Sequence, residues 1–469
     1  MDTNIPLSAQ PRVVIVGCGF GGLKLAQALA AAPVQVVVID RNNYHNFQPL
    51  LYQVATGALE ADSIAYPIRK IFTGQQNLFF RVADVQGVIP TRNRLQTSIG
   101  EISYNYLVLA TGSLTNFFGL ESIERNARQI KSIPNALNLR SFLFENLEQA
   151  LLTSNPAERQ ALLTIVVVGG GPTGVELSGS LAEMRRGVLP KDYPELDLQQ
   201  MRIILVDEGA AVLKPMSTAS QQDAQRYLEE LGVELRFHTA IRSYEHKRAY
   251  FSATEYIETA NLIWAAGVNG AAVPGLPDEA LTRNKRLHVN RWNLVQGQIN
   301  IFAIGDVASM VTEAMPKGLP MLAPVAQQQA SHLAANLQRL IQQQQPLNFT
   351  YRNKGVMAIV SRNQAVVDLP KQVHFKGFFG WLAWLFVHLI LLVGFRNKAV
   401  ALVDWAFAYF SSGQALRLII QPLRPRGDDL GKRAAEVLAA TPDYTAPPPA
   451  IQEPSLNSQE APWHSGRST

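Results

Sequence analysis

The sequence predicts an α/β protein with two separate doubly wound domains and an appended apolar module. Three observations predict it. A β-branched run, a glycine-rich turn and a helix rich in Ala and Leu follow one another near the N-terminus. The same order recurs from Thr164. Beyond residue 370 the composition becomes aromatic and basic. The chain has 469 residues, 47% apolar and 17% charged. At ~100–200 residues per domain this suits two to four domains, and the composition is that of a core-forming protein.

The first unit opens with Val13-Val14-Ile15-Val16, the pattern of a strand buried on both faces. Gly17-Cys18-Gly19-Phe20-Gly21-Gly22 follows directly. Leu23 to Ala32 reads as a helix, and Val34 to Ile39 as a second strand ending at Asp40. Strand, glycine turn, helix, strand and acid in this order form the βαβ dinucleotide fingerprint. In the second unit Thr164 to Val168 is the strand and Gly169-Gly170-Gly171-Pro172-Thr173-Gly174 the turn. Val175 to Arg186 is the helix, and Ile203 to Val206 the next strand, ending in Asp207-Glu208. An insertion rich in Pro and charge, Gly187 to Gln200, lengthens this copy.

One G-x-G-x-x-G is a weak signal. Two copies, each between strand and helix, predict two Rossmann-like dinucleotide-binding domains. Gly17 and Gly169 permit the tight turn, Gly19 and Gly171 admit a pyrophosphate, and Gly22 and Gly174 allow close helix–strand packing. The helix N-terminus then presents free N–H groups and a partial positive charge. Phe20 and Gly21 in the first turn, and Pro172 and Thr173 in the second, belong to the same expected contact sets. Asp40 and Asp207 are placed to accept hydrogen bonds from ribose hydroxyls. Asp207 with Glu208 beside it would repel a 2′-phosphate, so NADH is expected over NADPH.

Tyr106 to Ser113 is an apolar strand meeting a small-residue turn that contains Ala110, Thr111 and Gly112. Leu262 to Val268 matches it after the second unit, with Ala266 and Gly267 in its turn. Asn300 to Val307 is another buried strand, ending in Gly305-Asp306. Ala323 to Leu340 reads as a helix led by Pro324 and rich in Gln. Phe378 to Phe395 contains no Asp, Glu, Lys or Arg, and Asp404 is the one acid against seven bases between Lys371 and Arg426. At ~1.5 Å per residue this run reaches roughly 27 Å, the lower limit for a spanning helix. His388 within it and the flanking bases favour a helix lying in the membrane interface. After Gly427 the chain is polar and Pro-rich and is expected to be disordered.

The single cysteine, Cys18, excludes a disulfide scaffold, a thiolate zinc site, an iron–sulfur cluster and a paired-thiol redox centre. No metal is expected. A net charge of +5 is weak support for nucleic acid, and no nucleic-acid partner is expected. The N-terminal residues lack the basic start and apolar core of a secretory signal.

From about Arg12 to Phe410 the chain resembles the type II NADH:quinone oxidoreductases. The most specific stretch is Asp40-Arg41-Asn42-Asn43-Tyr44-His45-Asn46-Phe47-Gln48-Pro49-Leu50-Leu51-Tyr52-Gln53-Val54-Ala55-Thr56-Gly57, which is similar to the segment that crosses under the flavin in that family. Gly169 to Leu177, Asn300 to Val307, Ala323 to Ala330 and Gly394 to Lys398 are also similar. The resemblance implies a two-dinucleotide flavoprotein fold with a C-terminal membrane-binding module. It implies FAD in the first domain and NADH in the second. It implies hydride transfer from NADH to FAD, then two electrons to a membrane quinone, without proton pumping. The division expected from it is 1–115 and 286–350 for FAD, 116–285 for NAD(H), 351–426 for membrane anchoring and 427–469 for the tail.

The resemblance also assigns residues. Arg41, Gln48, Pro49, Val82, Ala110, Thr111, Gly112, Gly305, Asp306, Ala326 and Gln327 join the glycine turn around FAD. Ala266 and Gly267 join the second turn around NADH. Glu176 lies near the nicotinamide–flavin contact; its residue-level alternative is an acid favoured by the helix dipole. Gln328 borders the quinone pocket, with Pro324 standing where many relatives carry a second glutamine. Lys376 lies near the mouth of the quinone tunnel. Buried filler is the expectation for Cys18 and His45. A peripheral, monotopic membrane protein facing the cytoplasm is implied, in a family whose members often form homodimers through the C-terminal region. Two other readings stay open at this point: a soluble reductase with a protein acceptor, and an NADH-binding redox sensor.

Overall fold

A computed structural model describes residues 3–411 and 416–420. The elements that position the site run in chain order. They are β1 (Arg12–Val16), α1 (Phe20–Ala28), β2 (Gln35–Asp40), α2 (Leu51–Ala55), β3 (Leu78–Val82), β4 (Tyr106–Leu109), β5 (Arg128–Gln129), α3 (Ile133–Leu152) and β6 (Thr164–Val168). Then come α4 (Pro172–Gly187), β7 (Arg202–Val206), α5 (Thr218–Glu230), β8 (Glu234–Arg236), β9 (Asn261–Trp264), β10 (Ile301–Ala303) and α6 (Ala323–Ile341). The C-terminal module contains β11 (Val356–Ser361), β12 (Gln364–Leu369), β13 (Val373–Lys376), α7 (Gly377–Leu391) and α8 (Phe395–Ser411).

Two five-stranded sheets carry the fold, and both are parallel throughout. The first has the order β10-β4-β1-β2-β3, with Val14 opposite Val37 and Leu107. The second has the order β5-β9-β6-β7-β8, with Val166 opposite Ile204 and Leu262. The β-branched runs give strands covered on both sides. Val14, Val16, Val37 and Ile39 enter one core, and Val13, Ile15, Val36 and Val38 enter another on the opposite face. The second sheet divides likewise, with Val166 and Ile204 on one side and Ile165 and Ile203 on the other. Alternate residues of a strand point to opposite faces, so an unbroken apolar run requires two cores.

The chain leaves the first sheet after β4, builds the second, and returns to pair β10 with β4, Ile301 opposite Leu107. The crossing is marked by a short antiparallel pair, Ser113–Thr115 with Val268–Gly270. The C-terminal β11-β12-β13 meander is antiparallel. Trp384 of α7, fully buried, docks the module into the core shared with α2 and α4.

Two expected elements differ from the observed ones. The first helix begins at Phe20 rather than Leu23, because Gly19 is its extended N-cap and Gly21 and Gly22 are already helical. The apolar run from Phe378 to Phe395 is not helical to its end: α7 stops at Leu391, and α8 begins at Phe395. Gly394 sits at φ +86° between α7 and α8, and a Cβ there would overlap the Tyr66 ring. At ~1.5 Å per residue, the 15 residues of α7 reach roughly 22 Å, short of a ~30 Å hydrocarbon core. Among the described residues, no helix is long and apolar enough to cross a membrane. The expected disordered tail lies outside the described residues.

Candidate functional site

The two glycine turns are built alike. Gly17 and Gly169 both take positive φ, at +95° and +113°, and each runs against the backbone of the neighbouring strand end, Ala110 or Ala265. A Cβ on Gly22 would overlap the Gly17 carbonyl oxygen, and one on Gly174 the Gly169 carbonyl oxygen. The middle glycines face open space instead. A Cβ on Gly19 or Gly171 would meet nothing within 4 Å. α1 and α4 start at these residues without a side-chain cap, so their first N–H groups point into that space.

Asp40 and Asp207 have a task the sequence reading missed. Asp40 accepts from the Cys18 N–H at 2.7 Å and the Asn42 N–H at 2.8 Å. Asp207 accepts from the Gly170 N–H and the Gly209 N–H, both at 2.6 Å. Each acid therefore clamps its glycine turn. Each carboxylate oxygen keeps a second lone pair for a ribose hydroxyl. Burial pushes the Asp40 carboxyl upward, and the two N–H donors offset part of that. Cys18 and His45 are buried as expected. Burial, then the Asp40 charge, raises the thiol. His45 donates from Nδ1 to the Cys18 carbonyl oxygen at 2.9 Å, while Nε2 is buried without a partner beside the turn.

Residues from four distant segments converge on the first turn. The Lys131 ammonium donates to Ser113 Oγ at 2.9 Å and reaches Gln48 Oε1 at 3.3 Å. Ser113 Oγ donates to Asp306 Oδ2 at 2.6 Å. Burial lowers the Lys131 amine, and Asp306 opposes that. The Arg286 guanidinium bonds the Asp306 carbonyl oxygen at 3.0 Å, and Thr111 Oγ1 bonds the Ala271 carbonyl at 2.6 Å. The Gly305 N–H donates to Gln329 Oε1 at 2.8 Å, which seats Ala326 3.1 Å from where a Gly305 Cβ would stand. The open middle glycines, the uncapped helix starts, the orphaned His45 nitrogen and the convergent Asp306 together fit a dinucleotide at the first turn. The second turn fits one by the same geometry.

Between the turns lies a pocket of about 120 Å³ lined by Gln48, Pro49, Tyr52, Lys131, Thr173, Glu176 and Gly267 among others. Glu176 and Tyr52 also line a larger cavity of about 530 Å³. That cavity runs along α4 past Ser180 and Glu183, and Trp381, Leu385, Trp405 and Tyr409 of α7 and α8 form its far wall. Glu176 is the fifth residue of α4, beyond the first turn where the helix dipole acts. Burial raises its carboxyl to about 8, and the Ile359 backbone and the Trp384 indole offset part of the effect. Tyr52, fully buried, is pushed well up by burial and by the Glu176 charge. Gln53 donates to the Tyr52 hydroxyl at 2.8 Å and accepts from the Trp405 indole at 2.8 Å.

Two expected residues lie elsewhere. Gln328 lines neither cavity; it donates to the Arg352 carbonyl and accepts the Arg352 N–H, both at 3.0 Å. The Lys376 ammonium is held 2.7 Å from Asp223 on α5 and also lines neither cavity. The rest of the first set surrounds its turn more loosely. Val82 pairs with Asp40 across the sheet, Arg41 is exposed 4.0 Å from Asp84, Gly112 accepts the Ala271 N–H, and Gln327 is half-buried on α6. In the second set Pro172, Thr173 and Gly267 are exposed and Ala266 is half-buried, all at the mouth of the second turn. Lys131, Tyr52, Glu183, Trp384 and Trp405 were not singled out from the sequence. Tyr52 lies inside the most specific segment; the others carry no local motif.

Comparison with known proteins gives a consistent result. The pyridine nucleotide-disulphide oxidoreductase family model matches residues 11–330, and the NDH2 C-terminal domain model matches 353–412. The type II NADH:quinone oxidoreductase Ndh of Mycobacterium tuberculosis is 34% identical over 455 residues, 92% of this chain and 96% of that protein. The mitochondrial external NADH-ubiquinone oxidoreductase 2 of Saccharomyces cerevisiae is 27% identical, over 85% of this chain and 81% of that protein. The structure of NDH2 from Plasmodium falciparum in complex with NADH superposes with a TM-score of 0.79 at 19% identity, covering 87% of this chain and all of that one. The sulfide:quinone oxidoreductase of Aquifex aeolicus shares the fold with a TM-score of 0.67 at 21% identity, over 88% of this chain and 96% of that one.

Proposed function

The chain belongs to the type II NADH:quinone oxidoreductase family, and from that premise we propose how its own residues carry the reaction. The protein is an FAD-dependent enzyme that takes a hydride from NADH and passes two electrons to a quinone without pumping protons. FAD, when bound, supplies the redox chemistry, and the polypeptide supplies placement and protons.

Gly17, Gly19 and Gly22 with Asp40 would hold FAD, and Asp306, Ala326, Gln48 and Pro49 border it. Gly169, Gly171 and Gly174 with Asp207 would hold NADH. The strand order supports the division 1–115 with 286–350, 116–285 and 351–426, since β10 returns to the first sheet after the second is complete. The observation that carries the reading is Glu176 and Tyr52 lining both the pocket between the turns and the aromatic cavity. A carboxyl raised to about 8 is protonated at neutral pH and can donate a hydrogen bond to a quinone oxygen. Gln328 and Lys376 act indirectly in this reading. Gln328 steadies the start of α6, and Lys376 fastens α5 to the C-terminal sheet.

The membrane assignment rests on α7 and α8. Phe379, Leu382, Phe386 and Ile390 follow helical spacing along one side of α7, and all are exposed. Phe395, Leu402, Val403 and Phe410 continue the exposed apolar residues on α8. This surface is set to lie in the membrane interface, on the cytoplasmic side where NADH is supplied. A homodimer would have to form beside this face or bury part of it.

The deciding measurement is the visible spectrum of the purified protein. Adding NADH should bleach the flavin band, and a quinone should restore it. A colourless protein that stays so after reconstitution, or a bleached one that no quinone reoxidises, would overturn the reading.

A further inference from the structure

The reaction NADH + H⁺ + quinone → NAD⁺ + quinol takes one proton from water per turnover. NADH supplies two electrons and one hydrogen as hydride; the quinol needs two hydrogens. The second must reach a cavity whose α7 and α8 wall, Trp381, Leu385, Trp405, Ala408 and Tyr409, holds no carboxylate and no histidine. The α4 wall differs. Glu176, Ser180 and Glu183 recur at i, i+4 and i+7, so all three share one helix face, and all three line the cavity. Exposure rises along that face: Glu176 and Ser180 are buried, Glu183 is half-buried and Arg186 is exposed.

We infer that Glu183, through Ser180, carries the proton from the aqueous surface to Glu176, so that α4 is the proton route of the quinone half-reaction. The inference rests on the cavity being the quinone site, as proposed above. Seven residues of α4 span ~10 Å, so the steps between the side chains need water, and about 530 Å³ leaves room for it. Glu183 is fixed at the mouth by the Arg362 N–H, which donates to its Oε1 at 2.6 Å. Ser180 is fixed by Thr56, with Oγ to Oγ1 at 2.8 Å. Burial raises the Glu183 carboxyl, opposed by the Arg362 N–H and charge.

The groups facing this row come from every packed element. The Tyr52 hydroxyl faces it from α2, Arg362 and Gln364 from the β11–β12 turn and strand, Glu230 from α5, and Tyr409 from α8. Arg186 follows on α4 itself, and its guanidinium bonds the Glu230 carbonyl oxygen. Arg362 also stacks 3.9 Å over the Tyr409 ring. Arg362 and Arg186 set two cations at the mouth beside Glu183 and Glu230; Glu176 and Glu183 provide the only acidic steps along α4 within the cavity lining.

The test uses the full-length holoprotein in detergent and three variants: Glu183→Gln and Glu183→Asp for the relay, and Glu176→Gln for band assignment. Glutamine still accepts the Arg362 N–H, and flavin content reports folding. Infrared spectroscopy follows the protonated carboxyl band, assigned to Glu176 by its loss in Glu176→Gln, as it exchanges hydrogen for deuterium. Glu183→Gln should slow that exchange, and Glu183→Asp should largely restore it. In stopped flow, reoxidation of the NADH-reduced Glu183→Gln protein by a short-tailed benzoquinone or naphthoquinone should slow by about 10²-fold, the low end of what a placed proton donor contributes. Wild-type exchange together with a wild-type pH profile of reoxidation would overturn the relay and leave the quinone assignment intact. A wild-type protein that no quinone reoxidises would instead overturn the assignment on which the relay rests.

Discussion

Glu176 is a carboxyl group taken out of water, and its cost is readable as pH dependence. Its folded pKa is about 8, against 4.5 in the open chain. Between those values the native state holds a proton that the unfolded chain has lost, so stability falls as pH rises through that window and is level outside it. Glu176→Gln cannot ionise. It should match the wild type in thermal denaturation near pH 4–5 and be the more stable protein near pH 8–9. A difference that does not vary with pH would show that burial does not hold the proton. Asp40 gives a second prediction at this scale. It fastens the Cys18 N–H within the glycine turn, so Asp40→Ala should loosen the cradle as well as remove a ribose acceptor. The purified variant should carry much less flavin than the wild type, and full occupancy would refute the clamp.

At the scale of elements, α7 and α8 show most clearly what local pattern can decide. Phe379 is 73% exposed and Phe386 63%. Burying one such ring in an apolar phase contributes about 1.5–3 kcal/mol, so Phe379→Glu with Phe386→Glu should remove about 3 kcal/mol or more of membrane attachment. Co-flotation with anionic lipid vesicles measures this, and an undiminished bound fraction would refute the interfacial placement. The aromatic and basic composition of this region was legible in the sequence. The break at Gly394 was not, because what forbids a side chain there is the Tyr66 ring, far away in the chain. The glycine turns were legible almost completely, since their requirements are local: positive φ, close approach and a free helix start. The clamping role of Asp40 and Asp207 was not, because the bond back to the turn closes across a sheet.

At the scale of the whole molecule, the reaction depends on two cradles and an apolar slot meeting at one place. That meeting is made by contacts between remote segments: Lys131 with Ser113 and Asp306, Gln53 with Trp405, and Trp384 against α4. None leaves a mark on its own stretch of chain. Of the residues the resemblance pointed to, the fold places Glu176 in both cavities and ties Gln328 to the Arg352 backbone and Lys376 to Asp223. Periodicity and glycine spacing determined by themselves the two parallel-sheet domains and the paired dinucleotide turns, because each follows from backbone geometry. Only the tertiary structure decided which carboxyls share a cavity, which side chains clamp the turns and where the apolar run breaks, because those outcomes depend on what each residue packs against after the chain has crossed between its domains and returned.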